Sequence, residues 1–322
     1  MQKPEIILQR LDWTVIRRLD GRLQGDYRTL FHGFGLDLAE LREYQYNDDV
    51  RYIDWNVTAR LQIPYVRQYV EDREVTAWFL LDLSPSIDFG TVKTLKRNLL
   101  IDFVTVLARL LTRHGNRVGA ILFSGKVEKV IPPQGGKLQV LRLIKDLSNQ
   151  PQLKKSPQTD LTLLLENASR LIRRRSLVFL VSDFISIPGW DRSLGLLSQR
   201  HEVLAIRLID QRETELPDIG GVFLEDAETG EQLFIDTHDP GFRRRFIKGA
   251  EQREYQLGVT FGRLGVDLLE LSTGDDLVEE VVRFAMLRKR KRKSPAVFGK
   301  KNPVAYFVGS GFEPDRAGGP FG

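Results

Sequence analysis

Short, nearly unbroken apolar runs recur along the chain at 77–81, 117–123, 177–182, 201–209 and 266–271. Such runs suit strands buried on both faces of a parallel sheet. Between them lie helical stretches with a 3.6-residue apolar period. The stretch 93–113 carries Leu95, Leu99, Phe103, Val106 and Leu110 on one stripe and ends at His114-Gly115-Asn116. Others cover 138–147, 161–172, 190–200, 242–257 and 275–287. Alternating strands and helices of this kind predict an α/β fold, with a mostly parallel sheet flanked by helices. A second strand is expected at 126–131, after Ser124-Gly125, with Pro132-Pro-Gln-Gly-Gly136 as a turn. The rhythm breaks at 220–236, where strand-like runs flank Glu228-Thr-Gly230 and predict an inserted β-hairpin.

Ahead of the first core strand the pattern differs. Residues 5–24 place Ile7, Leu8, Leu11, Ile16 and Leu19 on one helical face between arginines, which predicts an amphipathic helix docked on the main body. Residues 41–60 are dense in charge and aromatics. Asn47 or Asp48 can cap a short helix that puts Val50, Ile53 and Val57 on one face. Asp48, Asp49, Arg51, Asp54 and Arg60 then crowd the surface nearby. A salt-bridged network with Arg42 is the favoured reading. A partner-binding face formed by Tyr44, Asp48, Asp49, Arg51, Asp54, Trp55 and Arg60 is second, because aromatics interleave the charges. A strand follows at 65–70.

The candidate chemistry sits at the end of the first core strand, in Leu81-Asp-Leu-Ser-Pro-Ser86. Ligands of open α/β sheets collect at the carboxyl ends of strands. One carboxylate (Asp82) and two hydroxyls (Ser84, Ser86) there make a hard-oxygen site suited to Mg²⁺ or Mn²⁺. Taken alone, the string fits equally a serine-rich turn capping the next helix. Two distant segments tip the balance: Thr159-Asp160 at a helix start, and Asp183 at the end of another buried strand.

Together these elements resemble the von Willebrand factor A domain, in which Asp-x-Ser-x-Ser, a loop Thr and a later strand-end Asp form a metal-ion-dependent adhesion site. The resemblance implies the metal set Asp82, Ser84, Ser86, Thr159 and Asp183, with Thr162 close by as the other loop threonine, and Mg²⁺ (or Mn²⁺ or Ca²⁺) as the ion. The upstream segment is more specific. Arg42-x-Tyr44, Asn47-Asp-Asp49, Arg51, Ile53-Asp-Trp55, Ala59-Arg60 and Val66-Arg-Gln68 resemble the signature of the bacterial domain of unknown function 58 family, with Asn47 where that family usually has Gly. That resemblance implies a von Willebrand A-like (Rossmann-like) domain preceded by the signature segment. It also implies a protein-binding role beside a MoxR-type AAA+ ATPase or its client. The expected organisation is 1–74 for the N-terminal helix and signature, 75–287 for the A-like domain with its hairpin, and 288–322 for a basic, flexible tail.

Composition narrows the alternatives. The chain has 322 residues and no cysteine, which removes disulfides, thiol catalysis and thiolate zinc sites. Its net charge is +5, yet Arg288-Lys-Arg-Lys-Arg-Lys293 alone holds six positive charges. Nucleic-acid or anionic-membrane binding is therefore expected through the tail, with membrane-surface binding by the helix at 5–24 as a minor alternative. The N-terminus lacks a signal-peptide apolar core, no run is long enough for a bilayer, and the chain reads as cytoplasmic. No P-loop, Gly-x-Gly-x-x-Gly, His-Glu-x-x-His or Gly-x-Ser-x-Gly occurs. The enzyme alternative is a Mg²⁺-dependent hydrolase with Asp82 as phosphoryl acceptor. Phosphatases resembling the haloacid dehalogenases carry a second Asp two residues later as general acid; here that residue is Ser84, too weak an acid for the role. A binding protein, not an enzyme, is the expectation.

Overall fold

The computed structural model describes residues 3–23, 40–46, 48–50, 53–68, 75–153 and 158–293. The chain opens with α1 (Pro4–Leu11) and α2 (Arg17–Leu23), joined by one π-helical turn at Asp12–Ile16. The next elements are β1 (Glu40–Glu43), α3 (Trp55–Leu61) and β2 (Tyr65–Gln68), and β1 and β2 pair antiparallel. The core begins at β3 (Thr76–Asp82), followed by α4 (Lys96–Arg113), β4 (Arg117–Phe123), β5 (Val127–Gln134) and α5 (Gly136–Ser148). Then come α6 (Leu161–Leu171), β6 (Leu177–Ser182), α7 (Trp190–Arg200) and β7 (Glu202–Ile209). The hairpin is β8 (Gly221–Glu225) and β9 (Gln232–Asp236), and α8 (Pro240–Leu264), β10 (Asp267–Ser272) and α9 (Leu277–Lys293) complete the described chain.

The central sheet has the order β10-β7-β6-β3-β4-β5, parallel except for β5, which runs antiparallel to β4. Side chains alternate between two cores. Ala77, Phe79 and Leu81 of β3 face one cluster with α1, α4, α5 and α9, and Phe79 stacks on Phe179 of β6 at 5.0 Å. Trp78 and Leu80 face the other, with α6, α7 and Phe261 of α8. From β3 the chain steps to β4 on one side and later returns to β6 on the other. The crevice between β3 and β6 is therefore the topological switch point, where such sheets bind ligands. The expected α/β architecture, with its mostly parallel sheet flanked by helices, is present.

The expected N-terminal helix covers α4. Leu8, Leu11, Ile16 and Leu19 are buried, and Arg10 clamps Asp102 at 2.6 Å. With the sheet beneath and α1 above, α4 is buried well beyond the expected stripe, through Leu100, Ile101, Val104, Leu107 and Leu111, while Leu95 is half-buried.

Several boundaries differ from expectation. Among the described residues the α-helix of the signature segment is Trp55–Leu61, capped by Asp54, which accepts the Val57 N–H at 3.2 Å; Asn47, one of the two expected caps, lies outside them. Val50 is exposed and shares no buried face with Val57. Pro132 and Pro133 belong to β5 instead of a turn, which an edge strand tolerates because one side needs no ladder donor. α8 continues past Leu257 to Leu264 and stops only where Gly265 adopts a left-handed φ of 64°. α9 runs through the basic residues to Lys293, since Lys and Arg are good helix formers and suit a carbonyl end. The remaining expected tail, 294–322, lies outside the described residues.

Candidate metal centre

β3 delivers Asp82 to the switch point, where the side chain is fully buried. One carboxylate oxygen accepts the Ser84 N–H at 3.0 Å and the other accepts the Ser182 hydroxyl, from the end of β6, at 2.7 Å. Ser84 and Ser86 turn inward, with their Oγ atoms 3.1 Å apart. A 3-10 turn at Pro85–Asp88 shapes this loop, and the Ile87 N–H closes onto the Ser84 carbonyl at 3.0 Å. Gly90 follows because a Cβ there would collide with the Thr94 carbonyl and the Leu95 backbone.

Asp183 approaches from the end of β6. Its Oδ1 accepts the Ile185 N–H at 3.0 Å. The next residue, Phe184, has φ 60°, a left-handed conformation that a bulky side chain rarely holds. Packing against Trp190 and Phe261 keeps it there. The strained turn fixes where the Asp183 carboxylate points.

Further charged groups enter that no motif announced. Lys96, the first residue of α4, has no exposure, and its Nζ donates to Asp183 Oδ2 at 2.9 Å and to Glu213 Oε1 at 2.6 Å. Burial works to lower its pKa, but the Asp183 and Glu213 charges outweigh burial and raise it. Glu228, at the hairpin tip, is buried beside Thr159. It accepts the Thr159 N–H at 2.9 Å and the Thr159 hydroxyl. Asp210, at the end of β7, is likewise unannounced. It accepts from the Thr91 N–H at 2.8 Å and from the Thr91 and Thr273 hydroxyls, tying the Asp82 loop to the β7 and β10 ends.

Of the five residues expected to hold metal, Asp82, Ser84, Ser86 and Asp183 converge. Burial, then the Asp183 charge, pushes Asp82 up to about 6 against the opposing bonds from Ser182 and Ser84. Thr159 is buried too, and its carbonyl accepts from Ser186 Oγ and the Ile187 N–H just beyond Asp183. Its hydroxyl, however, is engaged by Glu228. Thr162 lies inside the first turn of α6, its N–H bound by the Asp160 cap.

These residues suit a small hard cation. Adjacent ligands of an octahedral Mg²⁺ lie about 3 Å apart, and the two serine oxygens stand at 3.1 Å. The Lys96 ammonium is shared between Asp183 and Glu213, and the Asp183 charge also acts on Asp82, so the ionised forms leave uncompensated negative charge. Among the described residues no three His, Cys, Asp or Glu side chains gather as a metal cluster, so an ion here must draw on hydroxyls. A hydroxyl that donates its proton, as Thr159 does, still has lone pairs to offer.

The residues expected to form a partner face are spread over the β1–β2 segment. Tyr44 is half-buried, with its N–H on the Pro64 carbonyl, while Trp55 and Tyr46 are exposed. Asp48 accepts the Gln45 N–H at 2.7 Å, and Asp49 is half-buried. Asp54 is the α3 cap, and its N–H donates to the Tyr65 carbonyl. Arg60 is exposed in the last turn of α3. Arg51 and Asn47 lie outside the described residues, as does the side chain of Arg42.

The family described as "Protein of unknown function DUF58" matches residues 40–256, from β1 into α8. The chain belongs to the DUF58 family. Its homologues include the uncharacterized proteins Rv1480 of Mycobacterium tuberculosis and Mb1516 of Mycobacterium bovis. Each is 37% identical over 283 residues, covering 88% of this DUF58 chain and 89% of the relative. Among solved structures it is similar to BatB from Bacteroides thetaiotaomicron, with TM-score 0.42 and 13% identity over 67% of this chain and 99% of that one. No described helix of the DUF58 chain is long and apolar enough to cross a membrane.

Proposed function

We propose that this DUF58 chain is a von Willebrand factor A-like module that binds a protein partner through a divalent ion, Mg²⁺ being the best fit. Asp82, Ser84, Ser86 and Asp183 would hold the ion, with Thr159 completing the set. The observation that carries this reading is the pair of inward serine hydroxyls 3.1 Å apart beside two buried carboxylates. Bound there, the ion would supply a Lewis-acidic position open to one more oxygen. The chain's own part is to fix the oxygens, through the loop closed at Gly90 and the strained Phe184 turn, and to keep the site dry.

A carboxylate from another protein is the natural occupant of that position, and breaking a charged bond in a desolvated contact costs far more than losing a rim contact. Following the family resemblance, the proposed partner is a MoxR-type AAA+ ATPase or its client, with the DUF58 chain as adaptor. Removal of the ion by EDTA and the substitution Asp183→Ala should each release such a partner in a pull-down, lowering recovery at least about tenfold. Alanine changes in the basic stretch 288–293 should not. A complex that survives both EDTA and Asp183→Ala would mean that binding bypasses the ion, and the exposed Tyr46 and Trp55 surface would become the better candidate.

A further inference from the structure

The hairpin insertion packs in an unusual way. Of its side chains between Gly221 and Asp236, Glu228 and Ile235 are buried, whereas Phe223, Leu233 and Phe234 stand exposed. An isolated two-stranded hairpin is marginal in water. This one leaves its aromatic pair outside and buries a carboxylate at its tip.

The tip is preorganised to present that carboxylate. Asp226 Oδ1 accepts the N–H groups of Glu228 (3.0 Å) and Thr229 (2.7 Å). The Gly230 N–H closes onto the Asp226 carbonyl at 2.8 Å, with Gly230 at a left-handed φ of 72°. The receiving side is equally defined. The Thr159 N–H and hydroxyl both donate to the carboxylate, one residue before Asp160 caps α6. A backbone donor and a hydroxyl at the positive end of an eleven-residue helix form a cradle for an anion. That cradle borders Asp183, because Ser186 and Ile187 hold the Thr159 carbonyl.

We infer that the Thr159 cradle is a recognition site for a carboxylate side chain, and that Glu228 is a tethered stand-in for the partner's acid. The inference builds on the carboxylate-partner reading above and adds its regulation: the hairpin must withdraw before a partner's Glu or Asp can enter. Little else opposes withdrawal, since the hairpin buries few side chains. A tether of this length holds Glu228 at a millimolar effective concentration, enough to exclude weak acidic ligands while yielding to a partner that also engages the exposed hairpin strands.

The test uses the full chain with Glu228→Ala and Glu228→Gln, and a labelled, end-capped peptide Asp-Ala-Glu-Thr-Gly as probe. The Ala variant should bind this peptide at least about tenfold more tightly than wild type, and a peptide with Gln for Glu should not bind. Amide exchange at 221–236, measured without metal, should rise about tenfold or more in both variants while β3 and β6 stay protected. Equal peptide affinity for wild type and Glu228→Ala, or unchanged hairpin exchange, would overturn the inference. Repeating the titration in EDTA separates the two proposals. Peptide binding that persists there refutes the ion's part and leaves the cradle standing, whereas binding lost there attaches the cradle to the ion.

Discussion

Lys96→Met is expected to destabilise the metal-free protein by about 3–5 kcal/mol at pH 7, the usual cost of stripping one partner from a buried ion pair. The ammonium is completely enclosed and bonds both Asp183 and Glu213. Methionine matches the stem, so little packing is lost and the deficit is electrostatic. It leaves the buried Asp183 carboxylate without its cation, beside Glu213 and still acting on Asp82. Three corollaries sharpen the expectation. Adding Mg²⁺ should recover part of the loss, because a divalent ion can supply the missing charge. Lys96→Met combined with Asp183→Asn should lose less than the two single changes added together, since the residues are in contact. Lys96→Arg should not rescue, because a planar guanidinium cannot replace a compact ammonium in a closed site. Urea unfolding in EDTA checks the main effect. A loss below about 1 kcal/mol would show that the enclosed ammonium does not hold the strand ends together.

Much of the fold, and the core of the site, were legible because they are written locally. An apolar run such as Leu177-Val-Phe-Leu-Val181 can hardly be anything but a buried strand, and the residue that follows it lands at the ligand-binding edge of the sheet. Asp82, Ser84 and Ser86 are neighbours in sequence, so their convergence needs only one turn. Lys96, Glu213 and Glu228 carry no such signal. A lysine at a helix start usually snorkels to water, and a glutamate in Asp226-Ala-Glu-Thr-Gly230 reads as a solvated turn. Glu228 meets Thr159 across 69 residues of sequence and Lys96 meets Glu213 across 117, and only tertiary packing decides such pairings. Boundary differences have similar causes. Pro132-Pro133 looks like a turn until β5 proves to be an edge strand, and the expected helix 242–257 runs on to Leu264 because α8 carries Gly258 buried.

Asp82→Asn is expected to make the protein more stable in EDTA and incapable of responding to Mg²⁺. Burial, then the Asp183 charge, lifts the Asp82 carboxyl to about 6 from the ordinary 3.8. The folded protein therefore holds that proton more tightly than the unfolded chain. Between pH 3.8 and about 6 this group's contribution to stability falls as pH rises, and above about 6 the full penalty of the buried charge is in place. A shift of this size corresponds to about 3 kcal/mol at neutral pH. Asparagine removes the charge and keeps the shape. Its carbonyl can still accept the Ser84 N–H, and Ser182 can rotate to accept from the new amide. In EDTA at pH 7.5 the variant should thus exceed wild type by up to about 3 kcal/mol, the gap closing as pH is lowered toward 4. Saturating Mg²⁺ should stabilise wild type in proportion to the logarithm of its concentration over Kd and leave the variant unmoved. Thermal unfolding of the two proteins across pH, with and without Mg²⁺, reads both effects at once. If Asp82→Asn is the less stable protein in EDTA at pH 7.5, the carboxylate is a structural acceptor and not a charge held in reserve for a cation.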